Sequence, residues 1–145
     1  MPYGLATAGD VLTAANVNLL PRGIMAQTSV TASGTANGGT TNLLAAPSFT
    51  AVAGRRYKIT IGYYQSILVG AGTAEVQIRR GATQIGSSYV ANAAGTYAGQ
   101  SLVITDVPGA GAVTYNFYTY TGGTSIQLIA SAAAPFYIVV EDTGA

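Results

Sequence analysis

The stretch Arg56-Tyr57-Lys58-Ile59-Thr60-Ile61-Gly62-Tyr63-Tyr64 decides the fold class. Successive side chains of an extended chain point to opposite faces. Tyr57, Ile59, Ile61 and Tyr63 therefore share one face, and Lys58, Thr60 and Tyr64 share the other. Strict alternation of this kind predicts a β-strand with one buried face.

The same period of two recurs on both sides of it. Residues 74–80 place Ala74, Val76 and Ile78 inward, with Glu75, Gln77 and Arg79 outward. A turn at Arg80-Gly81-Ala82 joins them to residues 83–90 as a hairpin. Further strands are expected at 24–31, 42–44, 48–52, 102–107, 112–120, 125–130 and 136–141. The Gly-, Thr- and Asn-rich residues 33–41 read as a loop. Pro108-Gly109-Ala110-Gly111 and the pair Gly122-Gly123 read as turns. About eight or nine short strands without intervening helical patterns predict an all-β domain, a single β-sandwich of jelly-roll type.

Ahead of the strands the pattern differs. Asp10 or Thr13 is a candidate N-cap, Leu12, Asn16, Leu19 and Leu20 recur at roughly helical spacing, and Pro21 ends the run. One or two helical turns are expected, too few to be stable without something to pack on. The chain thus divides into an N-terminal arm, residues 1–23, and a sandwich, residues 24–145.

The 145 residues suffice for one domain with a sizeable core. Only 8% are charged, against roughly 25% in ordinary soluble domains. Six basic and five acidic residues leave a net charge of +1, which gives no electrostatic case for nucleic acid. No run of about 20 apolar residues offers a membrane span. Met1-Pro2-Tyr3-Gly4 has no basic region before an apolar one, so no signal peptide is expected. So weak a charge leaves copies of the chain little mutual repulsion and favours association.

The chemistry of catalysis is sparse. Histidine and cysteine are both absent, removing the usual general base and any thiolate nucleophile or metal ligand. The acids Asp10, Glu75, Asp106, Glu141 and Asp142 show no spacing that would wrap a cation. Gly70-Ala71-Gly72 and Gly109-Ala110-Gly111 lack the third glycine of a dinucleotide fingerprint and read as turns. Asp142-Thr143-Gly144 matches the aspartic-protease tripeptide, but such an aspartate works only as one of two sharing a proton. It reads as a short acidic tail. Arg55-Arg56 and Arg79-Arg80 read as solvated strand ends, with a salt bridge to Glu75 or Glu141 as the alternative. Neither an enzyme, a cofactor nor a metal is expected.

Ten tyrosines remain as the polar-aromatic resource. Tyr57, Tyr63 and Tyr115 read as core, and Tyr64, Tyr118 and Tyr120 as outward-facing. Exposed tyrosines suit protein interfaces and sugar stacking alike, and the interface reading leads because tryptophan is missing and acids are few.

Gly9-Asp10-Val11-Leu12-Thr13-Ala14-Ala15-Asn16-Val17-Asn18, followed by Pro21-Arg22-Gly23, resembles the opening of small virion proteins of tailed phages. The ending from Pro135 through Ile138-Val139-Val140-Glu141-Asp142-Thr143-Gly144 is similar to the close of such proteins from phages of actinobacteria. Ala53-Gly54-Arg55-Arg56-Tyr57-Lys58-Ile59 resembles a strand entry of viral β-sandwiches. The resemblance implies a virion structural protein, first a capsid decoration (cement) protein, with a minor tail or tail-fibre protein or a receptor- or glycan-binding module as alternatives. A homotrimer on the particle surface is expected, assembled in the host cytoplasm and partnered by the phage major capsid protein or tail proteins. Val11, Leu12, Val17, Leu19, Leu20 and Arg22 would form the docking arm, and Tyr64, Tyr118 and Tyr120 the interface aromatics.

Overall fold

The computed structural model describes residues 20–90 and 97–145, with backbone alone at 97 and 98. The helical turns expected in the arm, with Val11, Leu12, Val17 and Leu19, lie outside the described residues.

Among the described residues ten strands follow one another: β1 (Gly23–Val30), β2 (Asn37–Ala45), β3 (Phe49–Ala51), β4 (Arg56–Leu68), β5 (Thr73–Arg80), β6 (Thr83–Val90), β7 (Tyr97–Asp106), β8 (Gly111–Val113), β9 (Tyr115–Ile129) and β10 (Phe136–Gly144). Every pairing is antiparallel. One layer runs β1-β10-β4-β7 and the other β2-β9-β5-β6. Apart from the β5–β6 hairpin, neighbours in both layers are distant in sequence, the interleaved order of a jelly roll. The layers are continuous at one corner, where the end of β4 pairs with β9 from Gln65↔Ile129 to Leu68↔Ile126. The short β3 and β8 pair with each other as a separate ribbon.

The expected alternation places the core. Ile59 and Ile61 are fully buried, in register with Val140 and Ile138 on one side and Ile104 and Leu102 on the other. Ala74, Val76 and Ile78 are likewise fully buried from the second layer. Burying each large apolar side chain contributes roughly 1.5–3 kcal/mol. Phe117 of β9 ties the layers together, 6.2 Å from Tyr63 of β4 and 6.3 Å, edge-on, from Phe136 of β10. Phe49 from the small ribbon closes one end against Tyr57 and Tyr115. Where β6 crosses β7, Gly86 lets the layers meet closely: a Cβ there would lie 2.6 Å from Ile104 Cγ2.

Several local expectations need correction. Half of the supposed loop 33–41 belongs to β2, in which Gly38 and Gly39 sit at a bulge, between Gly38 and Thr40 in register, rather than in a turn. Gly122-Gly123 does not reverse the chain either. β9 runs through it for 15 residues, with Gly123 at φ +76°. The positive φ that a turn would need is used here to shift register as β9 passes from β5 to β4. Residues 112–120 are divided at Thr114 into β8 and β9. The supposed acidic tail is the end of β10, with Asp142 2% exposed.

Candidate functional site

The charged groups at the sandwich ends are occupied structurally. Arg55, 2% exposed, is not a solvated strand end: it grips Asp142 through Nε (2.6 Å to Oδ2) and Nη2 (2.8 Å to Oδ1). The same Nη2 donates to the Leu20 carbonyl at 2.5 Å, fixing where the arm joins the sandwich. Burial alone would raise the Asp142 carboxyl, but the Arg55 hydrogen bonds, the Gly144 N–H and attraction to Arg55 and Arg22 outweigh it and hold it below the usual range. Arg80 Nη1 meets both oxygens of Asp106, at 3.1 and 2.9 Å, and the Tyr115 hydroxyl donates to the same carboxylate at 2.8 Å. Burial and that carboxylate push the Tyr115 phenol far up. Among the described residues no cluster of three potential metal ligands forms, and no helix is long and apolar enough to cross a membrane.

The two outward sheet faces differ sharply. On β1-β10-β4-β7, cross-strand register sets Gln27, Val139, Thr60 and Val103 in one row and Ser29, Tyr137, Gly62 and Ser101 in the next. The Tyr137 ring lies directly over the bare backbone of Gly62. Ile24 and Val103 are 58% and 54% exposed. Lys58 and Glu141 on this face pair with each other at 2.5 Å. The face mixes apolar and uncharged polar groups, and Lys58 and Glu141 offset each other on it, with Arg56 exposed at the start of β4. Arg22 and Leu20 lie exposed at the arm junction, and Tyr64, 68% exposed, belongs to β4 of this layer.

On β2-β9-β5-β6 the outward residues are polar and aromatic. One row reads Thr40, Tyr120, Glu75, Tyr89, and the next Asn42, Tyr118, Gln77, Ser87. Glu75 thus sits directly between two exposed tyrosines, Tyr120 at 43% and Tyr89 at 71%. Its Oε1 accepts from the amides of Gln77 and Gln84, both at 3.2 Å. Arg79 donates Nε to Gln77 Oε1 at 2.9 Å and stacks 4.6 Å over the Tyr118 ring. Under this mesh Gln77, expected to point into solvent, is only 3% exposed.

The structure therefore brings Tyr118 and Tyr120 together on β9 and sets Tyr64 in the opposite layer. Glu75, Gln77 and Arg79 were legible as an outward row, but not as neighbours of those tyrosines. No single-strand pattern carries cross-strand register. The sequence matches no protein-family model, and a search of the curated proteins finds no match.

Proposed function

We propose that this chain is a non-enzymatic virion structural protein, a capsid decoration protein that associates with copies of itself on the particle surface. The observation that carries the reading is the outer face of β1-β10-β4-β7: an apolar stripe through Val103, Val139, Tyr137 and Ile24, beside which Lys58 and Glu141 pair within the chain. An interface core is depleted of free charge and rich in apolar and aromatic groups. A symmetric assembly also requires each patch to tolerate another copy of itself, which excludes like charges facing each other. A homotrimer built on this face and docked through the arm onto the major capsid protein satisfies both demands. The jelly-roll order adds support, since capsid proteins use it, although lectins do as well. Localising the protein on purified phage particles by antibody labelling and imaging tests the reading. Many copies over the capsid are expected; a few copies confined to the tail would replace decoration with the minor tail role. Absence from particles would overturn a virion role altogether.

A further inference from the structure

We infer that the outer face of β2-β9-β5-β6 is a binding site for a neutral carbohydrate, centred on Glu75 between Tyr120 and Tyr89. The inference is independent of the assembly reading, because it uses the opposite layer of the sandwich.

A pyranose ring offers an apolar C–H face and a rim of hydroxyls that both donate and accept. A site for it needs an open aromatic ring beside fixed polar groups of both kinds. Tyr120 and Tyr89 supply the rings, directly across β5 from each other and both exposed. Tyr118 differs, because the Arg79 guanidinium already covers it. The polar groups are held before any ligand arrives. Two amides hold Glu75 through Oε1, so Oε2 remains to accept from a ligand, and the bond from Nε to Gln77 fixes Arg79 with its two terminal nitrogens as donors. Groups positioned in advance lose little freedom on binding, which favours a ligand too small to bury much area.

The charge of the face selects among sugars. Glu75 and Arg79 lie on one strand, bridged by Gln77, so the carboxylate and guanidinium balance and neither an acidic nor a basic sugar gains from the local field. The same features disfavour a protein partner. A protein would have to desolvate this polar row at the centre of its contact, whereas interface centres are depleted of charge.

The full chain applied to an array of immobilised neutral oligosaccharides, with sialylated and uronate-bearing ones alongside, tests this. Binding is expected to neutral members, with Tyr120→Ala and Glu75→Gln each weakening it about tenfold or more, since each removes a group that the sugar contacts. Both positions face solvent, and Tyr89→Ala gives a second aromatic test on a different strand. Tyr64→Ala, in the opposite layer, should leave binding unchanged. Retention of no array sugar by the folded wild-type chain would overturn the site. So would retention of acidic sugars only, or binding that Tyr120→Ala, Tyr89→Ala and Glu75→Gln leave intact.

Discussion

The Arg55 guanidinium and the Asp142 carboxylate, 87 positions apart in sequence, form a two-pronged ion pair that is almost wholly inaccessible to water. Removing one member leaves the other buried without its counter-charge, which costs about 3–5 kcal/mol. Asp142→Ala and Arg55→Ala should each lower the unfolding free energy obtained from urea titration by that amount. The double variant should lose less than the sum, because no orphaned charge remains.

The same pair predicts acid sensitivity. Folding depresses the Asp142 pKa, so the pair contributes fully above the unfolded-state value of about 4 and fades as the pH falls through the lower folded value. Stability measured by denaturation should drop more steeply over that acid range in the wild type than in Asp142→Asn, whose side chain does not titrate.

Two buried threonines on β9 should respond differently to the same change. Thr119 is fully buried, and its hydroxyl has no hydrogen-bond partner among the described residues. Thr119→Val is expected to leave thermal stability unchanged or raise it by up to about 1 kcal/mol. Thr121 accepts a 2.8 Å bond from the Gly39 N–H. Thr121→Val strands that donor and should cost about 1–3 kcal/mol.

Gly86 tests the spacing between the layers. A methyl group there would overlap the rigid, β-branched Ile104, so Gly86→Ala should destabilise by about 1–3 kcal/mol. Combined with Ile104→Ala, the penalty should fall below the sum of the single effects in denaturation experiments.

Self-association should depend on the apolar face. Val103→Asp places a charge on that face, on its edge strand β7, in a position already open to water, so the fold is expected to survive. Light scattering should find the wild type larger than a single chain and the variant at the mass of one chain. A wild type that stays monomeric at high concentration would remove the basis for the proposed assembly.

The strands whose faces differ most were the most legible. Residues 56–64 and 74–80 alternate because one side meets the core and the other meets solvent, and burial follows that alternation at Tyr57, Ile59, Ile61, Val76 and Ile78. Glycine was the main source of error. Gly39 and Gly123 adopt positive φ inside strands, at bulges, and a bulge and a turn call for the same residue. Composition cannot separate them without knowledge of the partner strand. Long-range pairing was invisible for the same reason. Nothing near Arg55 announces Asp142, and nothing in Ala74-Glu75-Val76 announces the tyrosines that flank Glu75.

The place of β10 has a consequence for synthesis. It lies between β1 and β4, hydrogen-bonded to both, yet it follows every other strand in the chain. Until Phe136–Gly144 leaves the ribosome, the two strands it will separate present bare edges, and a chain with so few charges has little to keep such edges apart. Translation halted at Pro135 would therefore release a polypeptide with nearly all of its core residues and no means of closing them in. This domain cannot close before β10 has been made, and a chain truncated at Pro135 should be recovered in aggregates.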